Sequence, residues 1–331
     1  MAIGPAFQAH RDDADIDRIR HGATVVAAPM AIFRVEGPGA LTCLQGLLTN
    51  DLDKPGPNSL VYGALLSPKG MILLDVWVLR DSAGFTLVAP VEARETALDL
   101  FKRTLPPRLA RLTDLSGEWT TAWLLGADTA ARLPLAGLGE LPPPGAVRAL
   151  AVEDAPVQLA AGTPGAWFQA LLVGATGVVA DTVAKLVGAG ATAGCPEDAT
   201  AARVLAGWPA LGAEIGEKTL PQEVAFDEIG GVSYTKGCYT GQETVARIHF
   251  RGHPNRELRG LAWEDLGDLH SELVVAAEKE VGRFTSLIVT PTRRFGLAVL
   301  RREVLPGLAV TAGGRPATVV SLPFTPDPLA A

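Results

Sequence analysis

Apolar and polar positions alternate along Ala31-Ile-Phe-Arg-Val-Glu36, which predicts a strand, and Gly37-Pro-Gly39 breaks it. The spacing then changes. Leu41, Leu44, Leu47 and Leu48 recur as one face of a helix, with Cys43 packed inside it, and Thr49-Asn50-Asp51 ends the run. Residues 60–66 and 71–79 read as two strands joined by the turn-forming Ser67-Pro68-Lys69-Gly70. A third strand, 85–89, follows a turn at residues 81–84. Connections this short make an antiparallel meander, since parallel strands need long crossovers. Residues 91–105 have helical periodicity, and Pro106-Pro107 stops them.

Further strands are expected at 119–125, 147–152 and 168–173, with helices at 129–133, 178–187 and 196–206. Residues 134–145, rich in Pro, Gly and Leu, read as a surface loop. From residue 256 onward the pattern changes to short strands at 257–263, 283–289, 295–300 and 317–322, separated by Gly and Pro. That predicts a small all-β barrel or sandwich. Elements that mix without long apolar βαβ units give an α+β class. The first residues are polar and aperiodic until Ile16. The division expected is therefore a loosely held arm at 1–22, an α+β region at 23–253, and a β-domain at 254–331.

Composition narrows the function. The chain has 331 residues, 48% of them hydrophobic and 20% charged, enough to bury a real core. A net charge of −7 argues against a phosphate-backbone binder and so against a nucleic-acid partner. Arg293-Arg294 and Arg301-Arg302 leave room for a local basic patch, although such pairs are commonly solvated strand edges. Cys43, Cys195 and Cys238 match no disulfide or zinc framework, and a sparse odd count fits a reducing compartment. The charged, non-apolar N-terminal stretch argues against a secretory leader and no uncharged apolar run reaches membrane length, so a cytoplasmic chain without a membrane partner is expected.

The densest chemical signal is Lys236-Gly237-Cys238-Tyr239-Thr240-Gly241-Gln242-Glu243. Glycines let backbone approach a ligand closely or take positive φ. A cysteine reacts as its thiolate, which a cation or a helix N-terminus favours. Lys236 is the candidate cation, and residues from Glu243 onward are a candidate helix. Cys238 is thus expected in a pocket wall with a lowered pKa; the plainer alternative is a buried structural cysteine in a tight turn.

Other motifs are weaker. Residues 212–219 superficially resemble a phosphate loop, but the glycine spacing is wrong and Trp208-Pro209 stands where a hydrophobic strand should be. His249 and His253 are spaced for one helical face, yet Gly252 and Pro254 argue against a helix there, and no metal site is expected. Asp75 is a carboxylate inside an apolar strand. It either faces outward on a half-exposed strand or points into a cavity, where desolvation would raise its pKa.

The octapeptide is similar to the signature of the YgfZ-type proteins, the iron–sulfur-assembly branch of the glycine-cleavage T-protein (aminomethyltransferase) superfamily. Cys43-Leu-Gln-Gly-Leu-Leu-Thr-Asn-Asp51, Leu65-Leu-Ser-Pro-Lys-Gly-Met71, Leu220-Pro-Gln-Glu-Val224, Gly231-Val-Ser-Tyr234, Ala246-Arg247 and Arg251-Gly252 extend the resemblance along most of the chain. It implies a three-lobed ring around a central channel, closed by a C-terminal β-barrel, and tetrahydrofolate or a one-carbon derivative as ligand. The residues it points to are Cys238, Lys236 and Asp75 for chemistry. For the ligand it points to Asn50, Asp75, Arg203, Tyr239, Gln242, Glu243 and Arg247.

Two features of the folate enzymes are altered. Their paired acids correspond to Leu74 and Asp75, so one acid is kept. Their Arg-x-Glu-x-Gly segment reads Arg203-Val-Leu205-Ala-Gly207, and leucine cannot accept pterin N–H groups, a deficit of about 1–3 kcal/mol for each unmatched atom. The function implied is a folate-binding accessory factor for maturation or repair of iron–sulfur enzymes, meeting client proteins transiently. The alternatives are a tetrahydrofolate-dependent one-carbon transferase and a folate-binding sensor without chemistry.

Overall fold

The computed structural model describes residues 7–152 and 155–325. The first of these do not form a loose arm. Strand β1 (Phe7–His10) pairs in parallel with a distant strand, Phe7 opposite Ser286 and His10 opposite Val289. Helix α1 (Asp13–His21) begins with a capping box, in which the Asp12 carboxylate accepts the Asp15 N–H at 2.7 Å. The box satisfies donors that a first turn otherwise leaves open. Ala9 and Ile19 are buried. Local periodicity is silent here because the apolar partners lie nearly 280 residues further on.

The next segment supplies β2 (Thr24–Ala28), β3 (Ala31–Glu36), α2 (Ala40–Gln45), β4 (Ser59–Leu66), β5 (Ile72–Arg80), β6 (Gly84–Ala89), α3 (Arg94–Thr104) and β7 (Arg111–Asp114). Strands β3 to β7 form an antiparallel sheet in the order β4-β5-β6-β3-β7, which contains the expected meander. Phe33, Leu44, Leu87 and Phe101 fill the core between this sheet and helices α2 and α3. Asp81 closes the β5–β6 turn by accepting from the Ala83 and Gly84 N–H groups, and its carboxylate is also held by Arg34.

A second sheet comes from β8 (Trp119–Leu125), α4 (Thr129–Leu135), β9 (Val147–Val152), β10 (Ala155–Ala161), β11 (Ala170–Ala175), α5 (Thr176–Gly188) and β12 (Thr192–Ala193). Its order is β12-β2-β8-β11-β10-β9, and α5 packs Val179 and Leu186 into the core beside it. After α6 (Pro196–Leu205) and α7 (Gln242–Arg251), six strands close on themselves: β13 (Arg256–Trp263), β14 (Leu273–Ala276), β15 (Lys279–Val289), β16 (Arg294–Arg301), β17 (Ala309–Ala312) and β18 (Arg315–Val320). Their order is β15-β14-β17-β18-β13-β16, and β16 pairs back onto β15. Closure leaves no free edge within the barrel, and β1 adds to β15 from outside. The barrel has its own core of Leu261, Trp263, Phe284, Leu287 and Leu300.

The two sheets and the barrel meet over one further core, which contains Tyr62, Trp77, Trp123, Phe168, Trp208, Phe226, Ile288 and Phe295. These come from both sheets, the 206–226 connection and the barrel, so the centre of the three lobes is the largest apolar cluster. The expected α+β, three-lobed architecture with a C-terminal barrel is the one observed. Among the described residues no helix is long and apolar enough to cross a membrane.

Candidate functional site

At the centre Tyr62, Trp77, Trp208 and Phe226 form a tight aromatic layer. Ring centroids lie 4.7 Å apart for Tyr62 and Trp77, 4.8 Å for Tyr62 and Trp208, and 5.3 Å for Tyr62 and Phe226. Trp77 and Trp208 stack at 5.4 Å. A cavity of about 150 Å³ is walled by Trp77, Trp123, Trp167, Trp208, Met30, Phe7, Arg203 and Asp75. Four of the chain's six tryptophans therefore face one space. A larger cavity of about 680 Å³ is lined by Tyr62, Asn50, Asp227, Glu228 and Tyr234 among others. Tyr62 connects the two, since it lines the larger and its hydroxyl donates to Asp75 Oδ2 at 3.0 Å.

Asp75 answers the question that its strand position raised. It points inward, is 8% exposed, and its Oδ1 has no hydrogen-bond partner. Burial pushes the carboxyl up to about 6, against the opposing pull of the Tyr62 hydrogen bond, of a bond from Asp75's own backbone N–H and of the Arg203 charge. The same burial, with the Asp75 charge beside it, raises the Tyr62 phenol well above its ordinary value. An apolar slot holding one carboxyl with a free oxygen suits a flat, nitrogen-bearing ring.

Arg203 shares this cavity but is fully engaged elsewhere. Its guanidinium donates to the Trp208 carbonyl at 2.7 Å, to Glu214 Oε2 at 2.9 Å and to Ser286 Oγ at 2.6 Å, and it lies 5.4 Å from the centre of the Phe7 ring. Glu214 is completed by the Ala210 N–H and by the Thr285 and Ser286 hydroxyls. Helix α6, the 208–214 loop and barrel strand β15 are thus tied by one buried ion pair. Leu205 is buried two residues on and lines a separate cavity of about 280 Å³, whose wall shares Trp167 with the first.

The octapeptide lies elsewhere. Lys236 Nζ donates to the carbonyls of Gln45, Leu48 and Asn50 at 2.9, 2.7 and 2.8 Å, where α2 ends. Burial lowers its pKa to about 8, which still leaves it protonated at neutral pH, and three acceptors require the three donors of an ammonium. Its role is to fix the 45–50 segment. Replacing Lys236 by methionine is expected to cost about 2 kcal/mol by stranding those carbonyls. Arginine should not restore it, because a planar fork cannot converge three donors at one point. Thermal denaturation of both variants checks this.

Cys238 is exposed and lines none of these three cavities. Gly241 explains the turn that follows. It has φ of 83° and caps α7, and a Cβ there would meet the Ser67 carbonyl at 2.6 Å. Helix α7 does open as expected, and it runs on to Arg251, so His249 is helical despite Gly252 and Pro254, while His253 lies beyond the helix. The His249 ring stacks on Tyr234 at 3.6 Å, and its Nδ1 lies 3.2 Å from Asp227.

Of the other expected ligand residues, Asn50 lines the larger cavity, its amide donating to the Tyr62 and Gly230 carbonyls. Tyr239 is buried, its phenol pushed up to about 12 by burial and the Asp227 charge. Glu243 and Arg247 are exposed and Gln242 is half-buried at the start of α7, and none of the four lines the Asp75 cavity. Only Asp75 and Arg203 are brought together there. The sequence reading missed the tryptophan walls, Tyr62 and Glu214. Glu214 sits inside the rejected phosphate-loop look-alike, and Trp208 had served only as an argument against that motif.

Comparison with known proteins agrees with this fold. Residues 7–136 match the family described as the GCVT N-terminal domain. The chain is 30% identical over 234 residues to the tRNA-modifying protein YgfZ of Cronobacter sakazakii, covering 70% of this chain and 68% of that protein. It is 29% identical over 238 residues to the protein of the same name from Enterobacter sp. strain 638, covering 70% and 69%. The crystal structure of glycine cleavage system aminomethyltransferase T from Bartonella henselae superposes with a TM-score of 0.81 at 20% identity, covering 94% of this chain and 89% of that one. Fold, octapeptide and sequence similarity together place the chain in the YgfZ family.

Proposed function

We propose that the protein is a folate-binding accessory factor for the maturation of iron–sulfur enzymes, whose service ends, as the relatives' name suggests, on tRNA. The observation that carries the folate part is the unpartnered Asp75 Oδ1 inside a tryptophan-walled slot. That oxygen can accept a ring N–H, a role that buried Leu205 cannot fill. The slot, about 150 Å³, is below the roughly 300–1,000 Å³ of typical small-molecule sites, so it suits the ring end of a reduced folate and leaves the tail outside. Bound there, a reduced folate would supply a one-carbon carrier. Asp75 would orient the ring and, with a pKa of about 6, could hold or release a proton at Oδ1. The tryptophans would exclude water. In this reading Cys238, exposed on the loop before α7, would meet the thiol or cluster of a client protein rather than the folate.

Titrating the protein with 5-formyltetrahydrofolate, followed by calorimetry and tryptophan fluorescence, tests the first part. Saturable binding with quenching is expected, and Asp75→Ala should weaken it about tenfold by leaving a ring N–H unmatched. No heat and no quenching with the wild type would end the folate reading. Complementation of a strain lacking its own YgfZ-type protein tests the second part. Cys238→Ala should bind folate normally yet fail to rescue, and equal rescue would remove the thiol from the mechanism. The buried acid also favours a second reading, a one-carbon transferase, since a carboxylate with a raised pKa in a dry slot suits proton transfer. Turnover of methylene-tetrahydrofolate with an amine donor would establish it.

A further inference from the structure

Helix α7 carries Glu243, Arg247, Phe250 and Arg251 at i, i+4, i+7 and i+8, which places them on one face. All four are exposed, Phe250 by 66%, with its ring in T-shaped contact with His249 at 4.7 Å and with Tyr234 at 5.8 Å. The opposite face is occupied, with Val245 buried and His249 held by Tyr234 and Asp227. On the outer face, among the described residues, neither Arg247 nor Arg251 has a side-chain partner, and Glu243 does not pair with Arg247. The chain then turns at Gly252 into barrel strand β13. Its first residue, Arg256, stands opposite Arg301, and the Arg302 N–H donates to the Asn255 carbonyl at 3.1 Å. Arg256 and Arg302 are exposed and likewise have no side-chain partner among the described residues.

Four arginines without an ion-pair partner among the described residues thus lie on one face of α7 and on the barrel residues that follow it, in a chain whose net charge is −7. The net charge argued against a nucleic acid, but it averages over the molecule, whereas a strand of phosphates meets only the local field. The exposed phenylalanine between Arg247 and Arg251 decides between anionic partners. An acidic peptide would satisfy the guanidinium groups and gain little from the ring. A single-stranded nucleic acid uses both, stacking a base on the aromatic face while the arginines follow the backbone.

We propose that this face docks single-stranded RNA, with Phe250 stacking on a base and Arg247, Arg251, Arg256 and Arg302 contacting phosphates. The choice of RNA over DNA rests on the reading that the protein's service ends on tRNA. The surface itself is independent of the folate cavity. Cys238, on the loop that leads into the same helix, is exposed on the way to this surface.

Fluorescence anisotropy of a labelled oligouridylate of about twelve nucleotides, titrated with the full chain over a series of salt concentrations, tests it. Binding should weaken linearly in log–log form as salt rises, and each Arg→Gln change at these four positions should reduce the slope by about 0.7. Phe250→Ala should weaken binding about tenfold at every salt concentration and leave the slope unchanged. Arg251, Arg256 and Arg302 are exposed and have no part in the folate reading, so their variants should melt with the wild type and bind 5-formyltetrahydrofolate as it does; the two readings therefore fail separately. Absence of binding at about 50 mM salt would overturn the proposal. So would slopes indifferent to the arginines. Equal competition by polyglutamate, with Phe250→Ala silent, would identify the face as a dock for an acidic protein instead. Equal affinity for oligothymidylate would remove the preference for RNA.

Discussion

Glu214→Leu is expected to lower the free energy of unfolding by about 3–5 kcal/mol, the largest loss from any single substitution considered. The Glu214 side chain is wholly buried, and its two oxygens receive Arg203, the Ala210 N–H, Thr285 and Ser286. Removing it strands a buried guanidinium with only the Trp208 carbonyl and the Ser286 hydroxyl as acceptors. The loss reaches beyond one contact, because these partners belong to α6, the loop after it and barrel strand β15. The double variant Arg203→Met/Glu214→Leu should recover most of the stability, since a well-packed apolar pair avoids the cost of desolvating two ions. Urea denaturation of the wild type, both single variants and the double variant measures the coupling. A loss under about 1 kcal/mol in Glu214→Leu would mean that the barrel is held on by apolar packing alone. Met at position 203 also removes the cation nearest Asp75, so folate affinity should change in the double variant even where stability returns.

Local pattern made much of this fold legible and fell short where contacts are long-range. The meander of β4 to β6, helix α3 and four barrel strands follow from period and breakers, because each buries one face against elements of its own lobe, and helix α6 follows from its breakers although its partners are distant. Strand β1 and helix α1 are too short and polar to announce themselves; their burial depends on β15 and α6. Strands β2 and β10 were missed for another reason. Each is buried on both faces, Val25 and Leu159 in one core and Val26 and Ala160 in another, so Thr24-Val-Val-Ala-Ala28 and the alanine-rich β10 show no alternation.

The site divides in the same way. Asp75 drew attention because a carboxylate in an apolar strand needs a reason. The octapeptide drew attention by its glycines and thiol, yet its work in the fold is largely architectural: Lys236 closes the end of α2, and Gly241 lets α7 start against the β4–β5 turn. What makes Asp75 unusual is supplied by Tyr62, Trp77 and Trp208. These read as ordinary core aromatics until the three lobes are assembled, and no spacing rule connects them.

Asp75→Asn should therefore make the protein more stable at neutral pH while weakening its ligand binding. An aspartate ordinarily titrates at 3.8, and burial raises Asp75 to about 6. Between those values the folded chain binds more protons than the unfolded one, so stability falls as pH rises through the window and is level above it. The gap of roughly two pH units corresponds to about 3 kcal/mol of stability that the charged carboxylate removes at pH 7.5. Asparagine keeps the shape and an acceptor for the Tyr62 hydroxyl, but it brings two N–H donors into a slot that offers them no identified acceptor. That offsets about 1–2 kcal/mol of the gain. The net expectation is a variant more stable than wild type by about 1–2 kcal/mol at pH 7.5, an advantage that vanishes or reverses near pH 4.5. Other groups titrate over this range, but they cancel in the difference between the two proteins. Urea denaturation of both at the two pH values decides it. A difference that does not change with pH would show that the carboxylate carries no burial penalty, and the raised pKa on which its proposed role depends would be gone.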